Sequence, residues 1–293
     1  MPGSAIHDVI FGAVTLKQCR NVSYTPNNSI AADYTSGDVA PSAHYLVTSG
    51  PQATFTTGDL AGVISGVTSQ ALQVTSGTIT IPYNLRSRGS TFAGNSSHDQ
   101  INATDGLIVV NSFSASQGEQ EGASCTMTAY FDSSDGEAAP VTDSTGTTLS
   151  ANAYNATHKL GPVTVNGSGV SGITRVTVNT GISILPEMTD GAIYPIAHFV
   201  DRRSPTIEIT GQRMSLFTTL GPIFTTQTAA VVKFRKRAEG GTVVATGTGA
   251  HLSFTFADGI VSVEQVTGSG NSNAEVTLRL YGEALTISAT ATI

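Results

Sequence analysis

Apolar and polar residues alternate in short runs along most of the chain. Ile173–Val178 and Thr206–Thr210 alternate strictly, while Gly77–Ile81, Leu107–Val110, Val276–Tyr281 and Leu285–Ile293 are β-branched runs bounded by Gly or Asp-Gly. A period of two between turn residues predicts strands. Helical spacing shows in two places. Leu60, Val63, Ile64 and Val67 fall at i, i+3, i+4 and i+7 behind Asp59, a good N-cap residue. Met214, Phe217 and Leu220 form a second apolar stripe, which reads either as a helix or as a strand continuing from Ile209. The expected fold is mainly β, with short helices laid on strand layers.

The pattern is written twice. Pro41–Leu46 (PSAHYL) recurs as Pro195–Val200 (PIAHFV), 154 residues later, and the same offset pairs Gly37 with Gly191, Pro51 with Pro205 and Thr56 with Thr210. Tyr83, Arg86, Gly89 and Thr91 match Phe234, Arg237, Gly240 and Thr242 at 151. His98–Gly106 matches His251–Gly259 at 153, and Ala123, Thr126 and Tyr130 match Ala274, Thr277 and Tyr281 at 151. Upstream, Asn21–Pro26 (NVSYTP) resembles Gly181–Pro186 (GISILP) after a six-residue gap. Recurrence in a constant order is the mark of tandem duplication. It predicts two β-sandwich or barrel domains, residues 1–146 and 160–293, each with one short flanking helix. The Gly-, Ser-, Thr- and Asn-rich segment Ser133–Gly167 suits a linker or long loop between them.

Composition narrows the class. Charged residues make up 12% of the 293, against roughly 25% in ordinary soluble domains. Such a chain either buries much surface in an assembly or is solvated by Ser and Thr. The net charge of −7 and the lack of a large basic cluster argue against sequence-specific DNA binding. No apolar run approaches the ~18 residues of a membrane span, and no export signal is visible at the N-terminus. Cys19 and Cys125 are too few for a disulfide framework and are expected as reduced core thiols.

Candidate chemistry is sparse. His44 and His198 recur at equivalent places, but neither has a second His or Cys at ligand spacing, so both read as structural and no metal is expected. Asp201-Arg202-Arg203 reads as a subunit contact or as a solvated turn before Pro205. Lys233–Arg237 (KFRKR) is the only basic run. Alternation puts Lys233, Arg235 and Arg237 on one strand face, either as a contact or as charges guarding an edge. Glu119, Glu121, Asp132, Asp135 and Glu137 lie in Gly/Ser loops, without the Trp platforms of a glycosidase. Asp132–Glu137 lacks the ligand alternation of a calcium loop. Gly167–Gly172 leads into a strand rather than a helix, so it is no phosphate cradle. With no nucleophile elbow and no P-loop, the chain is expected to act through its surfaces, not as an enzyme and without a cofactor.

The second repeat sets out a strand, the pair Asp190-Gly191, then Tyr194-Pro195-x-Ala197-His198-Phe199, an Arg-bearing turn, Ser204-Pro205 and the strand Thr206–Thr210. It closes on Val276–Tyr281 and a Thr/Ala-rich tail. This order, shared by the first repeat with its turn Gly58–Gly62, resembles the tail tube (major tail) proteins of tailed bacteriophages. The resemblance implies a virion protein, assembled in the host cytoplasm, whose rings stack into a hollow tail tube for DNA ejection. It implies other tail proteins as partners (tape measure, baseplate, terminator) and DNA only in transit through an acidic lumen. The doubled domain departs from the usual single domain with six chains per ring. It leads to a trimeric ring with pseudo-sixfold symmetry, against six chains each carrying an outer domain. A baseplate, tail-tip or terminator component is the alternative, and a tandem carbohydrate-binding adhesin is a weaker one. Ser112–Gly122 and Thr267–Asn273 are expected as hairpin tips or loops, equivalent in the two repeats. Of the first, Ser116, Gln117, Gly118, Glu119, Gln120, Glu121 and Gly122 are expected to contact the next ring.

Overall fold

The computed structural model describes residues 3–6, 8–37, 39–66, 73–74, 77–86, 98–118, 122–147, 156–212, 224–227, 229–238, 241–268 and 274–293. The chain is mainly β. Its first half runs β1 (Gly3–Ile6), β2 (Val9–Phe11), β3 (Val14–Leu16), β4 (Cys19–Thr25), β5 (Asn28–Asp33), β6 (Ala43–Ser49) and β7 (Gln52–Thr57). It continues through α1 (Leu60–Gly66), β8 (Gln73–Val74), β9 (Ile79–Arg86), β10 (His98–Ala103), β11 (Gly106–Ser116), β12 (Ser124–Phe131) and β13 (Val141–Thr147). The second half runs β14 (Thr157–Val165), β15 (Ser168–Val170), β16 (Ile173–Asn179), β17 (Ile182–Glu187), β18 (Ala197–Arg203) and β19 (Thr206–Gly211). It ends with β20 (Phe224–Gln227), β21 (Ala230–Arg237), β22 (His251–Phe256), β23 (Gly259–Thr267), β24 (Glu275–Gly282) and β25 (Leu285–Ala291).

The strands repeat with the sequence. Each of β3 to β7 has its counterpart in β15 to β19 exactly 154 positions on, end for end. The pairing repeats too. The sheet β13-β10-β9-β2-β3 has the order of β25-β22-β21-β14-β15, and the hairpin β5–β6 that of β17–β18. Because β4 corresponds to β16 and β5 to β17 at the same offset of 154, no six-residue gap separates the halves. The likeness of Asn21–Pro26 to Gly181–Pro186 is a slip of six residues. The segment expected as a linker holds two strands instead, β13 pairing with β10 and β14 with β21. Ser112–Ser116 likewise belongs to strand β11, not to a hairpin tip or loop.

Asp59 caps α1 as its position predicts, its carboxylate accepting the Gly62 N–H at 2.9 Å. Val67 and the stripe Met214, Phe217, Leu220 lie outside the described residues. The Asp-Gly pairs before β11 and β23 have a steric cause. A Cβ on Gly106 or Gly259 would collide with the backbone carbonyl of Tyr130 or Tyr281, on the facing strand.

The layers meet over one apolar core. Phe11 and Leu16 of the β2–β3 sheet face Val63 of α1 and Ile108 and Met127 of β11 and β12. The core also crosses the halves. Phe113 of β11 packs on Phe254 of β22 with ring centroids 4.8 Å apart, and Phe254 packs on Phe234 at 5.0 Å. The helix α1 touches β3 and β12 of its own half and β25 of the other.

Candidate functional site

The two halves share one ten-stranded sheet, β20-β23-β24-β19-β16-β11-β12-β7-β4, with β8 alongside β11. Its centre is a seam between strands of opposite halves. The start of β11 takes β8 at Ile108 and Val109, and its end, Ser112–Ser116, pairs antiparallel with Asn179–Arg175 of β16. A bulge at Asn111 separates the two stretches. Thr180 fills it, its hydroxyl donating to the Val110 carbonyl at 2.5 Å and its N–H to that of Asn111 at 3.0 Å.

Beside the seam, His198 of β18 enters the first half. Its Nδ1 lies 2.5 Å from Asp132 Oδ1, with the two side chains 5% and 11% exposed. The ring of Tyr130 lies against the imidazole at 4.9 Å between centroids. The loop after β12 closes over this pair. The Ser133 hydroxyl accepts the Gly136 N–H at 3.0 Å and donates to the Ala138 carbonyl at 2.7 Å. The N–H groups of Ala138 and Glu137 hold the Asp135 carboxyl below its usual range. So shaped, the loop grips the segment before β18. The Gly136 carbonyl accepts the N–H groups of Ile193 and Tyr194, each at 2.9 Å, and the Ser133 N–H donates to Pro195 at 2.8 Å. From the other side, the Ser49 N–H donates to the Ile193 carbonyl at 2.8 Å.

Each half carries both sides of this seam, but only one pair of sides meets within the chain. The counterpart of β16 is β4, which ends the ten-stranded path and pairs with β7 alone among the described strands. The counterpart of β11 is β23. Its start is covered by β20, and its bulge falls at Glu264, the place equivalent to Asn111. Beyond the bulge β23 has only β24 as a partner among the described strands. Burial differs accordingly. Phe113 is fully buried in the seam, whereas Val266, at its place in β23, is 45% exposed.

Of the residues singled out from sequence, Asp201, Arg202 and Arg203 form the exposed end of β18. Arg203 stands where the first half has Ser49, the donor to Ile193 across the seam. Lys233, Arg235 and Arg237 lie on a different sheet, half-buried, with Phe234 buried on the other face as alternation requires. Lys233 Nζ donates to the Thr292 carbonyl at 2.8 Å and Arg237 Nε to that of Gly241 at 2.9 Å, so these two cations are tied to the chain's own backbone. Arg235 lines a cleft of about 350 Å³ with Ser116, Gln117, Gly118 and Lys159. Gly122 is buried beside the His158 carbonyl, and Glu119, Gln120 and Glu121 lie outside the described residues. His44 is exposed on β6, in contrast to His198.

The Asp132–His198 pair is not legible in the sequence, where the histidine reads as structural and the aspartate as one of several loop acids. The partners are 66 residues apart, and no local motif joins them. Buried His158 has no local signal in the sequence either. Neither of its ring nitrogens has a hydrogen-bond partner. Burial first, and then Lys236, pushes its pKa down to about 4.

Among the described residues no three His, Cys, Asp or Glu side chains are grouped to hold a metal ion. Both cysteines are free thiols, Cys125 buried and Cys19 half-buried. No described helix is long and apolar enough to cross a membrane. No protein-family model matches the chain, and no curated protein matches it.

Proposed function

We propose that this chain is a structural protein that joins copies of itself head to tail into rings, stacked as the hollow tail tube of a bacteriophage. The observation that carries this reading is the seam. The two halves, repeated in strand order and pairing, meet through the end of β11 on one side and β16 on the other. The chain then presents the matching edges again at its two ends, β23 beyond Glu264 and β4. An exposed edge strand is a template for another chain. Carried over to two chains, the internal register lays Gln265–Gly268 of one against Thr25–Val22 of the next. Such a contact is heterologous, and it yields a ring when its rotation closes.

Three chains carry six halves. The ring is then a trimer with pseudo-sixfold symmetry, its domains joined alternately within and between chains. Low charge suits a surface largely taken up by such contacts, and a net charge of −7 suits a conduit that must not grip DNA phosphates. On this reading the protein belongs to the virion tail and is assembled in the host cytoplasm, with tape measure, baseplate and terminator proteins as its neighbours.

Negative-stain microscopy and native mass spectrometry of the purified protein test it. Stacked rings whose unit weighs three times 30.1 kDa, about 90 kDa, are expected. Rings that never stack would place the protein at the tail tip or terminus instead. A unit of about 180 kDa, six chains, would assign the second half to the outside of the ring. A monomer at all concentrations would refute assembly.

A further inference from the structure

We propose that, in the assembly just described, His44 of one chain is received by Tyr281 and Glu283 of the next, forming a latch that repeats the internal His198 site. This rests on the head-to-tail reading and names the contact that carries it.

The three positions are fixed by the repeat. His44 precedes His198 by 154 residues, at the second position of β6 as His198 is of β18. Tyr281 and Glu283 follow Tyr130 and Asp132 by 151 residues, at the end of β24 and just after it. The backbone that holds each acid is the same. The Asp132 N–H donates to the Asp105 carbonyl at 3.2 Å, and the Glu283 N–H to that of Asp258 at 3.3 Å. One residue earlier, the Phe131 N–H donates to Pro51 and the Gly282 N–H to Pro205, both at 3.3 Å. Both acids therefore leave the same turn, after equivalent strands, beside an equivalent tyrosine.

Only the occupancy differs. Within the chain the site is filled: the side chains of His198 and Asp132 are 5% and 11% exposed, and Ser49 and Ser133 beside them are buried. At the two ends the parts are apart and open. His44 and Glu283 are exposed, and Tyr281 is 43% exposed. Val39, at the place of the half-buried Ile193, is fully exposed at 102%. By contrast, Tyr45 and Phe199, equivalent residues next to the histidines, are 56% and 55% exposed, because they point away from the seam in both halves. Exposure is thus lost in the internal copy where a neighbouring half is present, and kept where it is not. The occupant this predicts is a second copy of the chain, presenting β5–β6 to the turn after β24.

The latch between chains is weaker than the one within. Thr180, which donates two hydrogen bonds into the bulge of β11, is replaced by Pro26, which has neither an N–H nor a hydroxyl to donate. The gripping loop of residues 132–140 is cut to Glu283 and Ala284 between β24 and β25. The chain accordingly folds as a unit and joins its copies reversibly.

The test compares three variants of the full chain. Glu283→Lys removes the acceptor and should raise the concentration needed for ring formation at least tenfold while leaving the melting temperature of the isolated chain unchanged. Asp132→Lys breaks the internal equivalent and should lower that melting temperature. A 1:1 mixture of His44→Cys and Glu283→Cys chains, treated with a short bismaleimide, should give covalent dimers containing one of each. The native thiols compete poorly, since burial pushes Cys19 up to about 12 and holds Cys125 well above the usual thiol value. Normal assembly of Glu283→Lys, or rings without mixed cross-links, would overturn the latch and leave the ring standing. A wild-type chain that never associates would overturn both.

Discussion

His158 makes the chain's stability depend on pH. It lies 1% exposed on β14, opposite Lys236 of β21, with neither ring nitrogen hydrogen-bonded. Desolvation, helped by Lys236 and His251, lowers its pKa from 6.5 to about 4, and the negative charge of Asp59 opposes this only in part. The unfolded chain therefore takes up a proton that the folded chain refuses. Stability is fully present above the unfolded pKa and is lost as pH falls through the window from 6.5 to about 4. At ~1.36 kcal/mol per pH unit, the full loss is about 3 kcal/mol, of which roughly 2 is gone at pH 5. Leucine in place of His158 removes the titration and two unsatisfied nitrogens while keeping an apolar side chain of similar bulk. Urea unfolding of wild type and His158→Leu, followed at intervals from pH 7.5 to 4.5, isolates this group from every other one that titrates. The variant should be the more stable, and its advantage should grow by roughly 2 kcal/mol between pH 7.5 and pH 5. An advantage that stays constant with pH would refute the buried, neutral histidine.

Four further outcomes are expected. Gly106→Ala and Gly259→Ala should each cost about 1–3 kcal/mol in chemical denaturation, since the new Cβ meets backbone rather than a mobile side chain. Phe113→Ala should cost about 3–5 kcal/mol and loosen the seam, read as faster hydrogen exchange in β11 and β16, because it empties the contact with Phe254. Asp59→Ala should cost about 0.5–2 kcal/mol by uncapping α1, and Asp59→Asn should recover most of it in the same assay. A chelator should leave both melting temperature and ring formation unchanged, and a stoichiometric metal in the pure protein would contradict the structural reading of the histidines.

Local chemistry is what the sequence determined. Alternation placed β16, β19 and β24, because a strand with one buried face must repeat every second residue. Asp59 announced α1, because an N-cap acts on the residues just after it. The Asp-Gly pairs and the recurring Pro-x-Ala-His motif carried the repeat, because a turn sets its own requirements. The same period of two explains the one misalignment. A slip of six residues between Asn21–Pro26 and Gly181–Pro186 is an even number and leaves every side chain on its original face, so pattern alone does not detect it. Pairing of whole strands does, since β4 must meet β7 as β16 meets β19. Tertiary structure also decided that β11 takes β16 as its neighbour, that Asp132 receives His198, and that His158 is buried without a partner. Alternation says which way a side chain points and never which strand lies beside it. That choice depends on edges and bulges brought together from both halves, at sequence distances where no local pattern survives.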